Sequence, residues 1–263
     1  MQKEISATNE AAWNQGPYEA WTARYGTPAE AAAKIKENPE ARLSTLYSWM
    51  GDVQGKKIVN LLGSHGSKAV ALALLGAQST VVDIASENAR YANQLAEAAG
   101  VEIRYIISDV LELPEAELSG DYQIVLMEFG ILHYFTDLLP LMKIVSSLLG
   151  SGGRFVLQDF HPITTKLISS RGTTHAIRKH KVTGDYFDTS LEEVEVPYLK
   201  FLSAEKRQDL KKTKLRRWTL GEIVTSVAEA GLFIEVLKEE PNSSSEVFDK
   251  GIPKTFTLIA KKL

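Results

Sequence analysis

The chain has 263 residues and a mass of 29.0 kDa; 44% of the residues are hydrophobic and 24% charged. That is enough for one α/β domain with an insertion, or for two small domains, and it excludes a mostly disordered chain or one that needs disulfide or metal staples to fold. A formal net charge of −3 argues against a general nucleic-acid coat, and the absence of cysteine excludes a thiol nucleophile, an iron–sulfur cluster and Cys-ligated zinc.

The opening MQKEISATNEAAWNQ is polar and lacks the apolar core of a signal peptide, and the apolar run 69–77 is about half a membrane span, so the expectation is a cytoplasmic protein with no membrane segment. The first fifty residues read as helical. Thr27-Pro28-Ala29-Glu30 is a capping box with proline at the first helical position, and Asn38-Pro39 opens a second helix through ARLSTLYSWM. Upstream lies an aromatic cluster of Trp13, Tyr18, Trp21 and Tyr25.

From Gly55 the texture changes. KKIVNLL (56–62) predicts a buried strand and GSHGSKAVALALLGA a turn that opens a helix. STVVDI (79–84) predicts a second strand, with Ser86 as N-cap of a helix that stops at Gly100. VEIRYIISDV (101–110) and DYQIVLME (121–128) predict the third and fourth strands. DLLPLMKIVSSLL reads as a helix with Pro140 near its first turn, Gly150 to Gly153 as a turn, and RFVLQDF (154–160) as a fifth strand. This alternation predicts a parallel sheet with right-handed crossovers, covered on both faces because its strands are near-continuous apolar runs.

Residues 161–217 break the rhythm. They carry 13 Lys and Arg against 7 Asp and Glu, a net +6 that leaves −9 for the rest of the chain. The stretch reads as an insertion of substrate-facing or lid elements, with strand-like alternation at Leu191–Val196. Thr219 to Glu222 is another capping box, LFIEVLKEE (232–240) a sixth strand, NSSSEVFDKGIP a loop, and TFTLIAKK (255–262) a last, antiparallel strand. The expected organisation is a helical cap over 1–54, a core over 55–160, the insertion over 161–217, and the rest of the same sheet over 218–263.

In an open parallel sheet, ligands bind at the carboxyl ends of the strands beside the switch point. The strand-one turn, Asn60 to Gly66, would bring backbone and a helix N-terminus to an anionic ligand, although such glycines also serve an ordinary strand-to-helix turn. Asp83 closes strand two, where a carboxylate can accept ribose hydroxyls, and Asp109 closes strand three, where one can accept from an adenine amino group. Ile84 and Val110 would then face a flat base on either side. Either Asp alone could be a simple cap; two at consecutive strand ends point to a nucleoside.

The stretch from about Lys57 to Phe160 resembles the class I S-adenosylmethionine-dependent methyltransferases of the small-molecule type. KIVNLLGSHGSKAVALALLGAQSTVVDI is similar to that family's first two motifs, SDVLELPE to its third, DYQIVLMEFGILHYFTDL to its fourth and LLGSGGRFVLQDF to its fifth-strand turn; RWTLGEIVTSVAEAGLFIEVLKEE resembles its C-terminal part. The resemblance implies a Rossmann-like α/β fold: a seven-stranded, mostly parallel sheet with the last strand antiparallel and helices on both faces. It implies S-adenosyl-L-methionine as cofactor, with S-adenosyl-L-homocysteine as product. Leu62 and Gly63 would meet the methionine end, Asp83 the ribose, Asp109 and Val110 the adenine, and Glu128 and Phe129 the sulfonium side. The family's first motif has an acidic residue and then glycine at every second position. Here those positions are Asn60, Leu62, Ser64 and Gly66, with Gly63 out of phase. The expectation is that the loop takes a different path, with Gly63 supplying the close approach.

Methyl transfer needs a base only if the nucleophile is protonated. His133, after strand four, and His161, after strand five, are the candidates, with Asp159 placed either to orient His161 or to satisfy backbone. Tyr18, Trp21 and Tyr25 could cap the cofactor, since aromatic faces attract cations, or could simply pack the N-terminal segment. Histidine spacing offers no metal site. The main reading is a methyltransferase acting at O, N or C of a small molecule, as a monomer or homodimer, with no nucleic-acid or membrane partner. Two other readings stand: an RNA or protein methyltransferase using the basic 161–217 region, and a non-catalytic cofactor-binding relative.

Overall fold

The computed structural model describes residues 1–170, 180–241 and 251–263. Five helices come first: α1 (Gln2–Trp13), α2 (Pro17–Tyr25), α3 (Pro28–Glu37), α4 (Pro39–Leu43) and α5 (Leu46–Met50). The Thr27 capping box forms as the sequence predicts, with Glu30 N–H donating to Thr27 Oγ1 and Thr27 N–H to Glu30 Oε2. The helix expected through ARLSTLYSWM is cut in two, because Ser44 takes a left-handed φ of 54° and ends α4.

The core then alternates: β1 (Lys57–Leu61), α6 (Ser67–Leu74), β2 (Gln78–Asp83), α7 (Ser86–Ala99), β3 (Arg104–Ile107), β4 (Tyr122–Glu128), α8 (Leu139–Leu148) and β5 (Leu149–Phe160). The 161–217 stretch carries β6 (Ile168–Ser170), β7 (His180–Val182), β8 (Leu191–Val194) and β9 (Thr213–Arg216), paired as two small two-stranded antiparallel sheets. The chain returns through α9 (Leu220–Glu229), β10 (Leu232–Pro241) and β11 (Pro253–Lys262). The loop expected over 242–253 lies, as far as residue 250, outside the described residues.

Seven strands form one sheet in the order β10-β11-β5-β4-β1-β2-β3. All pairs are parallel except the two made by β11. This is the Rossmann-like fold of class I methyltransferases. The chain runs outward from β1 through β2 to β3, then crosses to the other side of β1 for β4. The switch point between β1 and β4 leaves a crevice at their carboxyl ends. Apolar strands are buried on both faces: Val59, Val81, Val125 and Phe155 have no exposed surface. Among the described residues no helix is long and apolar enough to cross a membrane.

Departures from the sequence reading are local. β3 spans four residues rather than ten, because Asp109 leaves the strand to cap a short 3-10 turn, accepting from Leu111 N–H at 3.0 Å. The glycine run 150–153 is drawn into β5, where Gly153 has no room for a side chain: a Cβ there would lie 2.8 Å from Gly150 O. Ser86 is the first residue of α7, not its cap; Ala85 holds the cap position and has no side chain to offer it.

Candidate active site

A cavity of about 630 Å³ opens at the switch point, within the ~300–1,000 Å³ range of small-molecule sites. One wall is made by the strand ends: Leu62 to His65 after β1, Asp83 and Ile84 after β2, Asp109 and Val110 after β3, and Glu128 and Phe129 after β4. The opposite wall comes from α1, α2 and the segment 197–201, which contribute Trp13, Trp21, Tyr25, Tyr198 and Phe201. A second hollow of the same volume lies at the amino ends of the strands, is lined mainly by polar surface such as Lys57, Gln78 and Arg104, and offers no convergent chemistry.

The strand-one loop has left-handed backbone at alternate positions, two of them without glycine. Leu62 (φ 50°), Ser64 (φ 49°) and Gly66 (φ 70°) all adopt the left-handed region, at the positions where the resemblance places glycine. Gly63, which does line the cavity, is glycine for what lies beneath it: a Cβ there would sit 2.7 Å from Asn60 Oδ1 and 2.9 Å from Val81 Cγ1. A left-handed conformation costs a non-glycine residue about 1–2 kcal/mol. Phe129, at φ 42°, carries the same strain on the far side of the site. Three of the five left-handed non-glycine residues among the described residues thus line this cavity, the clustering expected where geometry is held for function.

Asp83 anchors the loop. Its Oδ2 accepts from Ser64 N–H at 3.0 Å, and its Oδ1 accepts from Ala85 N–H at 2.9 Å and from Asn88 Nδ2 at 3.2 Å. Burial raises its pKa and these donors oppose the rise. A carboxylate offers about four acceptor sites, so one remains on Oδ2 for an outside donor. Asp109 Oδ1 caps Leu111, and its Oδ2 has no hydrogen bond among the described residues. Glu128 pairs with Lys68 at 3.3 Å, both largely shielded from solvent, and burial lowers the lysine's pKa against the pull of the carboxylate.

The structure sorts the other candidates. Asn60 is buried below the loop and outside the cavity lining; its Nδ2 donates to Leu126 O at 3.3 Å, tying β1 to β4, while Oδ1 has no partner among the described residues. Gly66 is also outside the lining and lets α6 press on α7, since a Cβ would meet Ala92 Cβ at 2.6 Å. Trp21 and Tyr25 line the cavity, whereas Tyr18 points to α7 and donates to Gln94 at 2.5 Å. His133 lines the cavity with no hydrogen bond to either ring nitrogen among the described residues, and burial, with the Arg217 charge, pushes its pKa down to about 4. His161 lies away from it: Ile163 N–H donates to Nδ1, so the ring proton sits on Nε2 and is donated to Glu239 at 2.6 Å. Asp159 satisfies backbone, accepting from Gly130 and Phe160 N–H at 2.6 and 2.7 Å.

Several lining residues escaped the sequence reading. His65 stacks on Tyr25 at 4.8 Å and lies 4.7 Å from Trp21; burial and the charges of Arg42 and Lys68 push its pKa down to about 3. Arg42 donates to Ser67 Oγ. Tyr134 accepts from Trp13 Nε1 at 3.1 Å. Tyr198 reaches back across 186 positions to donate to Ala12 O. Only the aromatic richness of the first 25 residues gave a signal for this wall. Five basic residues of the 161–217 stretch are engaged within the fold: Lys206, Lys214, Arg216 and Arg217 pair with Glu19, Glu193, Glu222 and Glu192, and Arg207 donates to backbone carbonyls. Among the described residues no group of three His, Asp or Glu side chains could hold a metal ion.

Known proteins share this fold. Residues 58–153 match the family model described as a methyltransferase domain. The fold matches a Listeria monocytogenes protein assigned as an S-adenosylmethionine-dependent methyltransferase (TM-score 0.66, 16% identity, 85% of this chain and 99% of that one). It also matches an S-adenosylmethionine-dependent methyltransferase from Mesorhizobium loti (0.62, 19%, 88% and 99%). A third match is the magnesium protoporphyrin IX methyltransferase of Synechocystis PCC 6803, solved with S-adenosylhomocysteine (0.59, 15%, 98% and 100%). No curated protein sequence matches the chain.

Proposed function

We propose that this protein binds S-adenosylmethionine along the strand-end wall and methylates a small molecule held against the aromatic wall. The observation that carries this reading is one cavity with two unlike walls, nucleoside-type carboxylates at consecutive strand ends facing a wall of rings. The family match over β1 to β5 and the similar solved methyltransferases, one of them a tetrapyrrole enzyme, support it.

The residues fit the cofactor. Asp83 Oδ2 would take a ribose hydroxyl, Asp109 the adenine amino group, and Ile84 and Val110 the faces of the base. Glu128 would sit on the ammonium side of the methionine moiety, while Arg42 supplies a cation for its carboxylate. When bound, the cofactor supplies a methyl group on a sulfonium, displaced in line by the acceptor. The chain's part is orientation, which can account for about 7–11 kcal/mol of barrier. His133 is the base of this reading: its imidazole is neutral at pH 7, and an unpaired ring nitrogen takes the acceptor's proton.

The first test is thermal unfolding with S-adenosylhomocysteine, beside NAD as control. At a hundredfold excess over Kd the ligand adds about 2.7 kcal/mol, hence a rise in Tm of roughly 5–11 °C. No rise at millimolar ligand sinks the reading. A rise without turnover on broad acceptor panels favours the non-catalytic relative.

A further inference from the structure

Five residues of the cap wall form an alternating ladder of cations and rings: Lys200, Phe201, Arg24, Tyr25 and Arg42, all lining the cavity. Lys200 Nζ and Arg24 Cζ each lie 5.1 Å from the centroid of the Phe201 ring. Arg24 Cζ lies 5.8 Å and Arg42 Cζ 5.4 Å from the centroid of Tyr25. An aromatic face attracts a cation through its quadrupole but has no net charge, so the rings hold these cations without neutralising them.

The contrast with nearby cations is informative. Lys206 faces Glu19 at 2.6 Å, Lys68 faces Glu128 at 3.3 Å, and Arg217 faces Glu192 at 2.7 Å. Among the described residues no ladder cation has a carboxylate partner. The acids that line the cavity, Asp83, Asp109 and Glu128, all stand at strand ends. Three like charges gathered without a counter-ion repel one another, and a wall that keeps them so is complementary to an anion.

The geometry points to an acceptor that is a flat aromatic molecule carrying an anionic group, its rings meeting the edges of Phe201 and Tyr25, whose faces the cations and His65 cover, and its anion beside the charged ends of Arg24 and Lys200. This rests on the two-walled reading of the cavity, in which Arg42 serves the cofactor's carboxylate and leaves the outer two cations to the acceptor. Because Arg24 and Lys200 are exposed, the attraction is screened by salt.

A matched pair of fluorescent probes tests it: 1-anilinonaphthalene-8-sulfonate and N-phenyl-1-naphthylamine, which share their rings and differ by the sulfonate. Both are titrated into the protein saturated with S-adenosylhomocysteine. The anionic probe is expected to bind one site about 10-fold tighter than the neutral one and to weaken between 50 and 500 mM salt. The double variant Arg24→Gln, Lys200→Gln is expected to lose about 10-fold for the anionic probe while the neutral probe is unmoved. Equal affinity for the two probes, or an undiminished preference in the double variant, overturns the proposal. If that variant does not fold, the salt dependence on the parent protein decides alone, a flat response overturning it. Failure of the parent protein to bind S-adenosylhomocysteine would sink the methyltransferase reading instead, and the probe ratio measured without it would still decide the ladder.

Discussion

The strand-end wall holds Asp83 and Asp109 through backbone donors and stores left-handed strain at Leu62, Ser64 and Phe129, whereas the cap wall is built of side-chain rings from segments as distant in sequence as Trp13 and Tyr198. The first wall can deviate little, since moving Asp83 would orphan Ser64 and Ala85 N–H together. The second can vary ring by ring. One wall suits a fixed ligand common to many enzymes, the other an acceptor particular to this one. Hydrogen bonds join them: Trp21 Nε1 donates to Asn88 Oδ1 at 2.8 Å, Asn88 in turn donates to Asp83, and Trp13 Nε1 donates to Tyr134.

The sharpest separation of the walls should come from His133→Asn, expected to lower kcat by about 10²–10⁴-fold while S-adenosylhomocysteine still binds, as read by titration calorimetry. An unchanged kcat on an acceptor that turns over would remove the base from the mechanism. Asp83→Ala should weaken S-adenosylhomocysteine on the order of 100-fold and, by leaving buried donors unpaired, cost about 2–4 kcal/mol, a fall in Tm of roughly 4–16 °C. Retained cofactor affinity would break the assignment of this wall. Trp13→Leu, on the other wall, should raise the acceptor KM about 10-fold and move S-adenosylhomocysteine affinity by less than twofold; a loss in both would show that the walls are not separable.

Acid titration sharpens the comparison further. His65 and His133 are held neutral when folded, at about 3 and about 4, against about 6.5 when unfolded. Below pH 6.5 the unfolded chain takes up protons that the folded one refuses. The stability these rings contribute above that pH is therefore lost as the pH falls, at up to about 1.4 kcal/mol per pH unit each, until the folded pKa is passed. His65→Phe keeps a ring against Tyr25 and should flatten the slope between pH 6 and 4; an identical slope in urea melts would contradict the burial of its charge. The smallest effect is a gain: Ser64→Gly relieves the left-handed strain and should add about 1 kcal/mol, or about 2–4 °C in Tm.

How much of this was legible depends on the range of the interactions involved. Apolar runs, capping boxes and the Gly100 stop act within a few residues, so strand order of appearance, helix starts and the strand-end residues Asp83, Asp109 and Glu128 could be read along the chain. The antiparallel β11 followed from the resemblance and from its partial alternation. Misreadings arose where one residue's environment overruled local pattern: Ser44 breaking a helix, Gly153 entering a strand, His161 turned to Glu239 instead of the cavity.

The sequence by itself determined the alternating core and the ligand-facing ends of its strands, because periodicity and turn chemistry are local. Only the tertiary structure decided that Leu62 and Ser64 hold glycine-like backbone, because that conformation is imposed by bonds from Asp83 and by Tyr105 donating to Ser64 O. Tertiary packing alone also gathered Arg24, Arg42 and Lys200 on one wall, since cations spread over 177 positions of chain carry no sign in the sequence that rings will bring them together.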